Sequence, residues 1–292
     1  MQRRAANTGR SLCLRRALPP AADVDVLGSY LGAVTTVVPQ VEVDGAVPSP
    51  EELSHPALVN YGHFTAMQVR GGAVRGLGVH LARLREAHQE LFGGDLETDR
   101  VRRLMRRAVA ERPDSYLRVT LYEVEAGMPR IMTAVRPAIE APRTPQRLTP
   151  VRYVRPFPHI KHVGSFAQIH HGLLAERAGF DDALLITAES HVAETTIANV
   201  GFIDGGAVVW PDAPALRGVT WQLLDAALAR LGREVRNETV SIDAVGNFDA
   251  AFVANSIGVT AVGRIGAHAF GSGDPGVAEL VNLYSGLAWD PL

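Results

Sequence analysis

The stretch RPFPHIKHVGSFAQIHH, residues 155–171, decides how this chain is read, because Lys161 within it is the only lysine in the sequence. The other 28 of the 29 Lys and Arg residues are arginines. A composition bias toward arginine would explain the replacement, and one lysine could survive it by accident. At an exposed position, however, either cation serves. What lysine does and arginine does not is shed its proton near neutral pH and attack a carbonyl to form an imine. Lys161 is therefore a candidate nucleophile. It ends the extended segment VRYVRPFPHIK (151–161) and precedes a helix with Phe166, Ile169 and Leu173 at spacings of three and four. That is a place for a positioned side chain rather than for one on a charged helix face.

Outward from this stretch the composition is that of a globular protein. With 292 residues and 47% hydrophobic content, the chain suits one large or two medium domains. A formal net charge of -2, with both signs interspersed, argues against a nucleic-acid or anionic-membrane partner. The basic run RVRRLMRRAVAER (100–112) spaces Val101, Leu104 and Val109 at a helical period, so it reads as the solvated side of an amphipathic helix. No apolar stretch is long enough to span a bilayer, and the single cysteine, Cys13, has no partner for an internal disulfide. Both facts fit a cytoplasmic protein. Residues 1–40 read as an N-terminal extension, partly disordered, whose arginine-rich start lacks the apolar core of a secretory signal.

The periodicity predicts an α+β fold in two domains: a small α+β domain over 41–140, a proline-rich linker over 141–150 and a larger domain over 151–292. The small domain reads as a strand at 41–47, a hairpin about Gly71-Gly72, a helix stopped by Gly93-Gly94, a second helix at about 99–111, and two strands. In the first of those strands Leu117, Val119 and Leu121 point one way, and Tyr116, Arg118, Thr120 and Tyr122 the other. The larger domain reads as strands at DALLIT, HVAETTIANVGFID and AVVWP, a helix after Gly218, further short strands and a closing helix near 275–288.

Two features complement the lysine. Glu194, in HVAETTIAN, shares strand parity with Val192 and Thr196, and a carboxylate on such a partly apolar face needs a cationic or hydrogen-bonding partner. Gly218-Val219-Thr220 leads into a helix, whose free N–H groups and positive dipole end favour a phosphate. A lysine, a buried acid and a helix-terminal anion site are what pyridoxal phosphate requires of a protein.

These residues carry a resemblance. His80-x-x-Arg83-Leu84, then Lys161, then AETTIANVGFI with Glu194 and Asn199, then LRGVT (216–220) resemble in order and spacing the fold-type IV pyridoxal phosphate enzymes. These are the class IV aminotransferases, among them the branched-chain and D-amino acid aminotransferases, together with aminodeoxychorismate lyase. The resemblance covers about residues 41–285. It implies the two-domain fold of that family and pyridoxal 5'-phosphate as cofactor. Lys161 would join the cofactor as an aldimine and then move the substrate proton, and Glu194 would keep the pyridine nitrogen protonated. Arg83, Val219, Thr220 and Ser256 would bind the phosphate. Phe64, Ala66, Gln68 and Arg118 would contact substrate. His80 would orient Arg83 or serve the structure alone. The expected activity is amino-group transfer between a small amino acid or amine and a 2-oxo acid, in a homodimer. An aminodeoxychorismate lyase and a non-catalytic relative are the alternatives.

The chain departs from the commonest pattern at several places. Phe166 stands five residues after the lysine, where a tyrosine usually bonds the cofactor's phenolic oxygen, and Trp221 follows the GVT signature where an arginine is usual. Leu121 stands where D-amino acid aminotransferases carry a carboxylate-binding arginine, and Asn255-Ser256-Ile257 replaces a Gly-Thr-Ala loop. The asparagine and the Lys161-His162 pair lean toward the lyase branch. His159, His162, His170 and His171 cluster near the lysine, but without cysteine or a well-spaced carboxylate they do not read as metal ligands, and His159 and His162 read as pocket or structural residues.

Overall fold

The computed structural model describes residues 39–271 and 273–292. The expected extension over 1–40 lies outside the described residues except for Pro39 and Gln40, and Cys13 lies outside them too. The first half contains β1 (Gln40–Val43), α1 (Pro50–Leu58), β2 (His63–Val69), β3 (Ala73–Val74), α2 (Leu77–Phe92), α3 (Thr98–Ala108), β4 (Ser115–Glu125) and β5 (Met128–Pro137). Strands β1-β5-β4-β2 form an antiparallel sheet in that order. Strict alternation sorts the side chains. Leu117, Val119 and Leu121 of β4 join Met67 and Val69 of β2, Leu84 of α2, and Val101 and Met105 of α3 in one core. The opposite face carries Phe64, Ala66 and Gln68, paired across the strands with Thr120, Arg118 and Tyr116. Helix α2 ends where Gly93 takes a left-handed φ of 75°, which the glycine accommodates without a Cβ penalty.

The second half contains β6 (Gln146–Arg152), α4 (Phe166–Arg177), β7 (Asp182–Ile186), β8 (Val192–Thr195), β9 (Asn199–Asp204), β10 (Ala207–Pro211), α5 (Val219–Arg230), β11 (Val235–Glu238), a 3₁₀ turn (Ile242–Asn247), β12 (Ala250–Asn255), β13 (Gly258–Ile265), β14 (His268–Ala269), α6 (Pro275–Ser285) and β15 (Asp290–Pro291). Strands β9-β12-β13-β6-β7-β8 run side by side, and the pairing of Glu194 with Asn199 closes the ring from β8 back to β9. Leu148, Leu184, Ile186, Val192, Val200, Phe202 and Val262 form one buried cluster of this ring. Helices α5 and α6 pack outside it on Trp210 and Phe252, and α4 packs on Ala183 and Leu185.

Several expectations are corrected here. HVAETTIANVGFID is two strands joined by a turn, not one. A register shift between Leu185 and Ile186 separates Val192 from Glu194: Val192 joins the ring core while Glu194 lies opposite Leu185, on the side that packs against α4. The helix after the lysine buries Gln168, Gly172 and Ala175, whereas Phe166 is 78% exposed. The linker expected over 141–150 ends early, because β6 begins at Gln146. Pro150 fits that strand because β13 pairs only as far as Leu148, so no neighbouring strand needs the N–H that proline lacks. The domain expected over 151–292 also ends in the other half: β15 pairs with β3, and Leu292 is buried in the small-domain core. Burial of that one side chain contributes roughly 1.5–3 kcal/mol.

The two halves also join at the lysine. Phe64 N–H donates to Lys161 O (2.8 Å) and Val163 N–H to Gly62 O (2.9 Å), so residues 161–163 form an antiparallel bridge to the edge of β2. Among the described residues no helix is long and apolar enough to cross a membrane.

Candidate active site

Lys161 is partly buried at the seam between the halves, and its Nζ lies 4.9 Å from the centroid of the Phe64 ring. The guanidinium of Arg118 lies 3.7 Å from the same ring, and its Nε donates to Thr120 Oγ1 at 3.2 Å. Burial, together with the cations Arg83, Arg155 and Arg118, pushes the Lys161 ammonium down to about 7, with Glu194 acting in the opposite direction. A lysine so placed holds a large neutral fraction at physiological pH, which is the nucleophilic form.

Glu194 is 7% exposed. Its Oε2 accepts from Leu216 N–H (3.2 Å), while Oε1 is buried with no hydrogen-bond partner among the described residues. Burial pushes its carboxyl up to about 7 against the pull of Arg155 and Lys161. The loop that Glu194 contacts is held a second time by Asn199, whose amide donates to Leu216 O (2.6 Å) and whose oxygen accepts from Gly218 N–H (3.1 Å). One loop thus fixes the acid and leads directly into α5.

At the start of α5, Gly218 offers no side-chain cap, so the first N–H groups of the helix have no acceptor from a capping side chain. Val219 and Thr220 are buried there, and Thr220 Oγ1 donates to Asn255 O (2.7 Å), tying this helix end to the turn that carries Ser256. Ser256 lines a small cavity with Gln68, His80 and Tyr284, so β2, α2 and the 255–258 turn converge.

Arg83 projects from α2, 9% exposed. Its Nη2 donates to Thr65 Oγ1, and that hydroxyl lies 2.6 Å from His80 Nδ1. Burial, then Arg83 and Lys161, push the His80 ring well below its usual range. His80 is therefore neutral, and its Nδ1 can accept the threonine proton. Arg83 Nε is buried without a partner among the described residues. No acidic side chain pairs with Arg83 there either, and burial lowers its guanidinium to about 10.

Lys161, Glu194, Arg83 and Arg118 thus share one electrostatic neighbourhood, with Phe64 between two of the cations. The Gln68 amide donates to Ile139 O, and the side chain lines a cleft with Arg70, Ile257 and Trp289. Ala66 is buried beside it on the same face. Three of the sequence expectations change. Leu121 faces the small-domain core, so this register position could not present an arginine to the pocket. Phe166 stacks on His170 at 5.7 Å on the outer surface. His159 is exposed and hydrogen-bonded to Glu90 (2.9 Å). Among the described residues no group of three His, Cys, Asp or Glu side chains could hold a metal. Thr65 and Arg155 belong to the site although the sequence motifs do not mark them. Thr65 carries no local signal, whereas Arg155 is visible as the cation six residues before the lysine.

The profile of the family described as "Amino-transferase class IV" matches residues 62–265. The chain belongs to this family. Its fold is that of the solved fold-type IV enzymes. A branched-chain amino acid aminotransferase from T.th., complexed with N-(5'-phosphopyridoxyl)-L-glutamate, superposes with a TM-score of 0.73 at 21% identity, covering 84% of this chain and 92% of that one. The 4-amino-4-deoxychorismate lyase of Pseudomonas aeruginosa superposes with a TM-score of 0.71 at 22% identity over 83% and 97%. A curated relative in Rickettsia felis, named "Probable branched-chain-amino-acid aminotransferase", is 35% identical over 80 residues, 27% of this chain and 28% of its own length. Likeness to the curated relatives therefore spans well under half of their length. The candidate site lies at the seam of the two halves.

Proposed function

We propose that this chain is a pyridoxal phosphate-dependent aminotransferase that moves an amino group between a small amino acid or amine and a 2-oxo acid. The observation that carries this reading is a set of unsatisfied buried groups around Lys161: Glu194 Oε1, Arg83 Nε and the uncapped first turn of α5. An acceptor for a protonated ring nitrogen and donors for a phosphate fit that cofactor, and buried polar atoms of this kind are costly without a partner. When bound, the cofactor supplies an electrophilic carbon and an electron sink for the carbanion.

The protein's own contribution follows from its side chains. Lys161, near 7, is neutral often enough to attack, and afterwards its Nζ can take a proton from the substrate carbon and return it elsewhere. Glu194 Oε1 would accept from the ring nitrogen and keep that proton in place. Arg83, steadied by Thr65 and His80, would hold the phosphate with Val219, Thr220 and Ser256. Phe64, Ala66, Gln68 and Arg118 form the wall against which substrate lies. The likeness to the branched-chain enzymes favours transfer over lyase chemistry, and we take the working unit to be a cytoplasmic homodimer.

Purified protein given the cofactor should show a visible absorption band that borohydride fixes to Lys161, and Lys161→Ala should abolish it. Pyruvate or 2-oxoglutarate should then accept an amino group from a panel of donors. Absence of the band, or full activity in Lys161→Ala, defeats the proposal. Release of pyruvate from aminodeoxychorismate with no acceptor present replaces transfer with lyase chemistry.

A further inference from the structure

Arg155 is a buried cation that the roles above leave unused. It is 5% exposed, and no carboxylate pairs with it among the described residues. Its Nη2 donates to the carbonyl of His162 (3.1 Å), the residue next to Lys161, and its Nε lies 3.2 Å from His162 Nε2. Since His162 Nε2 also lies 2.9 Å from Pro156 O, the ring nitrogen can serve only one of these neighbours well at a time. Nη1 makes no hydrogen bond to the described residues. The guanidinium is thus fixed to the lysine's own backbone while one edge stays open. Its charge acts on both Lys161 and Glu194.

Burying a guanidinium without a counter-charge is expensive. Phe166, at the position where a tyrosine would donate to the cofactor's phenolic oxygen, lies on the outer surface and has no hydroxyl. In pyridoxal phosphate that oxygen is carried by the ring carbon next to the aldehyde-bearing carbon, on the side away from the phosphate arm. With the aldehyde carbon at Lys161 and the phosphate at Arg83, the oxygen belongs near the lysine and away from α5.

We propose that Arg155 binds the cofactor's phenolic oxygen, so that a fixed cation supplies the hydrogen bond that Phe166 cannot give. The inference rests on the cofactor reading above. A cation at this position opposes protonation of the nitrogen that links Lys161 to the cofactor. It acts alongside Arg83 on α2, Arg118 on β4 and His162 beside the lysine, against the carboxylate of Glu194 on β8. Tyr153, on the same extended segment, faces Arg155 and Glu194 as well.

The test is a pH titration of the visible band of holoenzyme, with cofactor affinity measured by fluorescence. Arg155→Met should raise the midpoint of the band by about 1 to 3 pH units, the usual effect of removing a nearby like charge, and weaken cofactor binding at least tenfold. Arg155→Lys keeps the charge but not the fork, and should restore most of the midpoint. Phe166→Tyr should leave midpoint and affinity unchanged. An unshifted midpoint in Arg155→Met, an unrestored one in Arg155→Lys, or a shift in Phe166→Tyr overturns the assignment. If Arg155→Met does not fold, the Arg155→Lys and Phe166→Tyr results decide. A wild-type protein with no visible band would instead refute the cofactor reading itself.

Discussion

Replacing Gly218 by alanine tests whether one loop holds both the acid and the phosphate end of the site. The backbone there, φ -64° and ψ 155°, suits any residue, so no conformational penalty arises. The added Cβ would instead lie 2.2 Å from Asn199 Oδ1, more than 1 Å inside ordinary contact. Asn199 must move, and with it go the bonds to Gly218 N–H and Leu216 O. Leaving those groups unmatched costs about 1–3 kcal/mol each, so Gly218→Ala should lose about 2–6 kcal/mol in urea unfolding of the cofactor-free protein at unchanged m. Leu216 N–H also donates to Glu194, so cofactor affinity should fall by about tenfold or more. A double-mutant cycle isolates the cause. In an Asn199→Ala background the clash is gone, and Gly218→Ala should then cost under about 0.5 kcal/mol. An equal cost in both backgrounds, or a wild-type-like Gly218→Ala, would refute the argument.

Two further outcomes follow from groups already described. Lys161 is lowered to about 7, so above that pH the unfolded chain binds the extra proton, and stability of the cofactor-free protein should rise from about pH 7 into the ordinary lysine range. Glu194 is raised to about 7, so between its usual value and 7 the folded chain binds the extra proton, and stability should fall across that window as pH rises. Lys161→Ala should remove the first slope and Glu194→Gln the second, each read as the difference from wild type by urea unfolding across pH; parallel curves would contradict both. Asp290→Ala removes the side-chain acceptor for Leu77 N–H, 2.9 Å away, at the uncapped start of α2. It should cost about 1 kcal/mol and loosen cofactor binding through Arg83, measured by thermal melting and fluorescence titration; an unchanged melting temperature would contradict it.

The elements of the small domain were readable because each buries one face. Period-two alternation in β4 and the glycine stop of α2 are local consequences of burial and backbone sterics, and the structure reproduces both. The second half was less legible. Its strands are buried on both sides, so periodicity could not divide HVAETTIANVGFID at its turn or reveal the register shift beside Glu194. Phe166 illustrates the same limit: its spacing marked a helix but not which face that helix would bury.

The sequence by itself determined the chemical inventory: one lysine that can lose its proton, an acid on an apolar strand, and a glycine leading into a helix. These properties belong to single residues and short spacings, and they need no partner to be recognised. Only the tertiary structure decided which groups go unsatisfied. That Glu194 Oε1 and Arg83 Nε lack partners among the described residues, that Thr65 links Arg83 to His80, and that Asn199 holds the loop shared by Glu194 and α5 all depend on residues far apart in the chain. The protonation of Lys161 was decided there as well. A lysine's pKa follows from the charges and solvent around it, and Arg83, Arg118, Arg155 and Glu194 meet it only when the two halves close on one seam.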